Sequence, residues 1–103
     1  MPATKAQSLT EVAAVCDLLS DKTRMHIVFL LAKGESNVGD LVKILKAPQP
    51  NASHHLGLLR MGGLIIAKRK GKEIFYSLAG NVKVSSGKIK ITLPSNTVTI
   101  DGC

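Results

Sequence analysis

The sequence predicts an α+β domain, four short helices followed by two β-hairpins. Three observations carry that expectation. Apolar residues recur at helical spacing from Leu9 to Leu59 and then stop. Two β-rich runs, 64–68 and 73–78, flank a basic turn that contains Gly71. Beyond Asn81, apolar and polar residues alternate at the period of a strand.

Taken in order, the first helix is expected to start at Ser8. Ser8 and Glu11 have the spacing of a capping box, in which each side chain satisfies an otherwise orphaned N–H. Leu9, Val12, Ala13, Cys16 and Leu19 form its apolar stripe. The string LLSD breaks it, and Ser20 or Asp21 caps a second helix over 22–33. That helix is apolar nearly all round, through Met25, Ile27, Val28, Phe29, Leu30 and Leu31, as a centrally covered helix is. Gly34 ends it. The third helix lies in NVGDLVKILKA, with Asn37 at its N-cap and Val38, Leu41, Ile44 and Leu45 at helical spacing.

The fourth helix, in PQPNASHHLGLLRMGGL, organises the rest. Ala52, His55, Leu56 and Leu59 fall on one stripe, whereas Asn51, Ser53, His54, Gly57 and Met61 fall opposite. Pro50 suits the first helical position, and Gly62 with Gly63 supplies the left-handed stop. Two helices, then a hairpin whose turn is Arg69, Lys70, Gly71 and Lys72, make the layout of a winged helix-turn-helix. After it, 88–93 and 97–101 read as a second hairpin around Pro94-Ser95-Asn96. It is too short to stand alone and must pack on the wing, on the first helix or on a second copy of the chain. The division expected is a winged helix-turn-helix over 1–80 and a β-rich tail over 81–103, the tail serving in dimerisation or packing on the core.

The chain of 103 residues carries a net charge of +7, unevenly placed. Residues 1–41 hold four basic and five acidic side chains, whereas residues 42–90 hold ten basic side chains and one acid, Glu73. Solubility does not require charges of one sign. Clustering matters because exposed charges act over only about 8 Å at physiological salt. A helix faced with Asn, Ser and His beside a basic hairpin suits duplex DNA, the helix in the major groove and the hairpin on phosphates. Gln49, Asn51, Ser53 and His54 are the candidate base contacts, since Gln and Asn match adenine bidentately. Lys43, Lys46, Arg60, Lys68, Arg69, Lys70 and Lys72 are the candidate backbone contacts.

The strings LSDKTRMHIVFLLAKGE, GDLVKILKAPQPNASHHLGLLRMGGLI and KGKEIFYSL resemble the ArsR/SmtB family of bacterial winged-helix repressors over about residues 19–78. The most specific piece is QPNASHHLGLLRMGGL, matching the family's recognition-helix pattern. The resemblance implies a homodimer that binds a palindromic operator and releases it when an inducer or metal binds. Two departures limit the transfer. Many relatives hold thiophilic metal with two cysteines where this chain has Asn37 and Gly39, neither a thiolate. The second common site draws Asp, His and Glu from a C-terminal helix, but here no acid or His stands between Leu78 and Asp101. Neither a metal nor another cofactor is expected. The dimer, which in the family uses that missing helix, must form differently or from the first helix and the tail.

His55 is expected to be packed and hydrogen-bonded, His54 to face DNA, and isolated His26 to be surface or packing. Cys16 reads as a small core hydrophobe. Cys103 reads as a free thiol, and a redox-sensing Cys16–Cys103 pair is the alternative. No Gly-x-Ser-x-Gly, phosphate loop or paired carboxylates with a nearby His are present, so no catalysis is expected. No run is long enough to cross a bilayer and the first residues lack a secretory apolar segment, so a cytoplasmic protein is expected. The function expected is a sequence-specific double-stranded DNA-binding regulator, a homodimeric repressor. The alternatives are a winged-helix protein-interaction module and an inducer-free architectural DNA-binding protein.

Overall fold

The structure, a computed structural model, describes residues 5–101, and only the backbone of residues 5–8. Helix α1 (Lys5–Leu19) is followed by α2 (Lys22–Ala32), the short strand β1 (Ser36–Asn37), α3 (Val38–Leu45) and α4 (Gln49–Met61). Strands β2 (Ile65–Lys70) and β3 (Glu73–Leu78) form the wing, and β4 (Val82–Ser85), β5 (Lys88–Thr92) and β6 (Thr97–Asp101) form a C-terminal meander. The strands make two antiparallel sheets, ordered β1-β3-β2 and β4-β5-β6. The winged helix-turn-helix expected from the sequence is present, with the tail as strands rather than a helix.

Helix α1 departs from expectation in where it starts and in which face it buries. It is already helical at Lys5, so Ser8 does not cap it; Lys5, Ala6 and Gln7 are all strong helix formers. The buried face runs through Val15 and Leu19, with Val12 and Leu18 half-buried, and leaves Leu9, Ala13 and Cys16 exposed. Two apolar stripes overlap on this helix, one rotated about 100° from the other, and spacing alone does not choose between them. Cys16 is therefore a surface residue and not part of the core. Cys103 lies outside the described residues.

Elsewhere the local signals act as their chemistry dictates. Asp21 caps α2, its carboxylate accepting from the Arg24 N–H at 3.0 Å. Asn37 caps α3, its Oδ1 accepting from the Asp40 N–H at 2.8 Å. The turn between α3 and α4 is Lys46-Ala47-Pro48, and Lys46 takes φ 54°, a left-handed conformation at the C-cap. Pro50 sits one residue inside the first helical position, after Gln49. Gly63, at φ 78°, makes the stop after α4. Gly62 is where the helix ends meet, since a Cβ there would sit 2.1 Å from Leu18 Cδ1.

The hydrophobic centre joins all the layers. Ile27, Leu41, Leu56 and Leu59 from the helices, Ile65 from the wing, and Val82, Ile89 and Ile91 from the meander belong to one cluster of buried residues. The inward residues of β5 alternate with exposed lysines and threonine, as the sequence pattern required. The expected hairpin of 88–93 with 97–101 gains a third strand, because Val82 and Val84 of β4 pair with Ile91 and Ile89. The tail lies against the body of the same chain, with β4 beside α2.

One polar knot fixes three helices. Arg24 Nε donates to the Leu18 carbonyl at 2.6 Å, and Nη2 to the Asp17 carbonyl at 3.4 Å, both at the end of α1. Arg24 Nη1 lies 3.2 Å from His55 Nδ1 on α4. A guanidinium has only donors, so that bond requires a bare Nδ1 on the imidazole. Arg24→Ala is expected to cost about 2 kcal/mol in denaturant unfolding, and Arg24→Lys not to restore it, because an ammonium lacks the planar fork.

The Asp21 carboxyl titrates below its ordinary value, chiefly because the Arg24 N–H bonds to it, with burial opposing and the Arg24 charge adding less. A carboxylate lowered in the fold stabilises above its unfolded value near pH 4, and that contribution vanishes as pH falls through the folded value. Asp21→Ala is expected to cost about 1 kcal/mol at neutral pH, mostly the lost cap. The ion-pair share is small because the carboxylate is 36% exposed. Stability curves of wild type and variant should converge in acid.

Candidate nucleic-acid interface

Helix α4 separates its two chemistries cleanly. Ala52, Leu56 and Leu59 are fully buried, whereas Gln49, Asn51, Ser53 and His54 are all exposed. The burial of the first set orients the second, since residues one apart diverge by about 100°. His55 takes the packed role expected of it, 3.8 Å from Asp21 Oδ2 and bonded to Arg24. His26 is exposed. No acid lies in the first turn of α4, and Arg60 occupies its last.

Between α4 and the wing runs an open cleft of about 360 Å³. Gln49 and Ser53 line one wall, Ile74 and Tyr76 the other, and Asn37 and Val38 the floor. Asn37 works twice there. While its Oδ1 caps α3, its Nδ2 donates to Glu73 Oε1 at 3.1 Å, so the start of α3 is tied to the wing. Backbone pairing repeats the tie, with Ser36 opposite Tyr76 and Asn37 opposite Phe75.

The wing itself is longer than its sequence suggests. Strand β2 continues to Lys70, which pairs with Glu73, so the turn is Gly71-Lys72 alone, and Gly71 takes the positive φ, 62°, that such a turn needs. Arg69 and Lys70 are therefore strand residues on opposite faces. Arg69 Nε donates to the Gly71 carbonyl at 3.3 Å. Lys70 Nζ pairs with Glu35 Oε1 and lies 5.2 Å from the centre of the Phe75 ring. Among the described residues Lys68 and Lys72 carry no ion pair. Lys43 and Lys46 are exposed beside the turn into α4.

The residues thus fall into two groups. Gln49, Asn51, Ser53 and His54 are all exposed on α4, and Gln49 and Ser53 face the cleft that Lys72 lines from the wing tip. Lys70, the last residue of β2 before the turn, is engaged by Glu35, a partner that spacing in the sequence does not show. Glu73 did carry a signal: it is the one acid in residues 42–90. Among the described residues no three His, Cys, Asp or Glu side chains are placed to hold a metal ion. No helix among them is long and apolar enough to cross a membrane.

Comparison with known proteins agrees with this arrangement. Residues 21–67 match the family described as bacterial regulatory protein, arsR family. The biofilm growth-associated repressor of Agrobacterium fabrum is 41% identical over 70 residues, 68% of this chain and 60% of that one. The arsenical resistance operon repressor of Escherichia coli is 41% identical over 73 residues, 70% of this chain and 62% of that one. This chain thus spans about three-fifths of the length of those relatives. Among solved structures, a homodimeric winged helix-turn-helix DNA-binding domain from Mycobacterium bovis superposes with a TM-score of 0.70. It is 35% identical, over 78% of this chain and 74% of that one. With its recognition-type helix, its wing and these likenesses in sequence and structure, the chain belongs to the arsR family of bacterial regulatory proteins.

Proposed function

We propose that the chain is a sequence-specific double-stranded DNA-binding transcriptional regulator acting as a homodimeric repressor in the cytoplasm, without catalytic activity of its own. The observation that carries this reading is the exposed set Gln49, Asn51, Ser53 and His54, held outward by three fully buried neighbours on the same helix. Uncharged hydrogen-bonding groups on a rigid helix are what reading base edges requires. Lysines and arginine around them supply the sequence-independent attraction to phosphate.

In this reading α4 enters the major groove with Asn51 and Gln49 toward adenine edges, and Ser53 and His54 on neighbouring bases or phosphates. Lys43, Lys46 and Arg60 hold the backbone at either end of the helix. Arg69 and Lys72 reach the adjacent backbone or minor groove from the wing tip, with Lys68 beside them. Lys70 serves chiefly to fix the wing through Glu35. The winged helix-turn-helix up to residue 80 makes the DNA-binding unit, and the β-rich tail from residue 81 serves in dimerisation or packing on the core. Two copies related by a two-fold would address half-sites about one helical turn apart. The relatives named as repressors support the regulatory role.

Binding to an operator selected from random duplexes tests this directly. Asn51→Ala is expected to lose about 1–3 kcal/mol on the operator and little on random DNA. Lys72→Ala should weaken all sequences alike and lower the salt slope by about one. Equal losses of specific and random binding in both variants would defeat the proposed division of labour.

Lys46 separates stability from binding. Its left-handed backbone is strained for a residue with a Cβ. Lys46→Gly is expected to hold stability or raise it by up to about 1 kcal/mol, while weakening DNA binding at low salt. Thermal melting and gel retardation of the same preparation would show the two effects moving apart.

A further inference from the structure

The C-terminal sheet has two unlike edges. Strand β4 carries Lys83 and lies beside α2. Strand β6, at the other edge, pairs with β5, and among the described residues nothing pairs with its outer side. Edge strands of soluble proteins are normally blunted by lysine, proline, a bulge or a covering element. Thr97-Val98-Thr99-Ile100-Asp101 has no lysine or proline, and four of its five residues are β-branched.

The phase of its hydrogen bonds is fixed by the turn. Leu93 N donates to the Asn96 carbonyl at 2.7 Å, closing the hairpin. In the observed register, Ile91 opposite Val98 and Ile89 opposite Ile100, that phase spends the backbone groups of Val98 and Ile100 on β5. The N–H and C=O of Thr97, Thr99 and Asp101 then point away from the sheet.

We propose that β6 is the two-fold seam of the homodimer, two copies pairing antiparallel about Thr99 and joining their three-stranded sheets into one. Self-pairing requires a strand centred on a single residue, so that each face meets its like. Strand β6 meets that condition. Thr99 faces the partner's Thr99, Thr97 faces the partner's Asp101, and Val98 faces the partner's Ile100 on the core side. No like charges oppose each other, and half-exposed Ile100 gains a cover. The other edge is disfavoured by charge and cover, because self-pairing about Lys83 would set two ammonium groups against each other and β4 already lies beside α2. Exposed Leu9 on α1, 67% accessible, is one competing apolar surface. The seam rests on the homodimer reading above and supplies its interface.

Sedimentation of the chain without DNA tests the seam alone. Thr99 lies opposite Lys90 within the chain, so Thr99→Glu suits the monomer while setting two carboxylates against each other across the axis. It is expected to raise the dimer dissociation constant about tenfold or more, with Thr99→Gln close to wild type. An unchanged constant, a monomeric wild type across micromolar concentrations, or a dimer broken by Leu9→Glu and not by Thr99→Glu would overturn it.

A second measurement does not depend on how well that variant folds. In Cys16→Ser, Cys103→Ser chains, Thr99→Cys would bring two sulfurs together across Cα atoms about 5.5 Å apart, within disulfide reach. Mild oxidation is expected to give covalent dimers, and monomers alone would overturn the seam. Retardation of a short duplex at low salt reads the other proposal separately: Thr99→Glu should still bind. A wild type that dimerises through β6 and leaves duplex unshifted would defeat the DNA reading and spare the seam.

Discussion

The placement of the exposed polar helix depends on one guanidinium. Arg24 stands in the first turn of α2 and spends its fork on the carbonyl end of α1 and on the imidazole of α4. The carbonyls of Asp17 and Leu18 are the unsatisfied acceptors at a helix end, where a cation is favoured. His55 on α4 is one step from His54 on the exposed face. Anchoring the inner ring therefore sets the rotation of the outer one. Asp21 completes the arrangement by holding the Arg24 backbone while its charge faces the same cluster. Three helices are indexed to each other at one point, and apolar packing of Leu56 and Leu59 holds what the knot orients.

Much of this was legible in the sequence because the signals were local. Asp21 and Asn37 cap the helices they precede, and Ala52, Leu56 and Leu59 bury as their spacing requires. The alternation in β5 and β6 gave the tail hairpin its register. What stayed hidden was either degenerate or long-range. Helix α1 offers two apolar stripes, and only packing against the rest of the buried cluster selects Val15 over Cys16. Strand β1 is two residues long, and its partners stand forty residues away in β3, beyond any periodicity. Strand β4 is short enough that VKVS reads as ordinary connection until Ile89 and Ile91 are placed across from it.

The same distinction runs through the candidate interface. Exposure of Gln49, Asn51, Ser53 and His54 follows from a helical wheel, but the fate of each wing cation does not. Lys70 looks equivalent to Lys68 and Lys72 in sequence. Its pairing with Glu35 arises because β2 reaches two residues further than its composition suggests, bringing Lys70 to the segment before β1. A cluster of like charges is thus partly structural and partly available, and only the fold divides the two.

The attachment of the wing has a dynamic consequence. Most of the pairing in this chain joins near neighbours: β2 with β3, β4 with β5, β5 with β6. Strand β1 alone closes a long loop, for which the entropic cost is high and the backbone reward is two residues. Such a contact is weakly supported and opens readily in a native ensemble. Amide exchange in this protein should accordingly begin at Ser36 and Asn37, releasing the wing to swing as a lever while the helices stay folded.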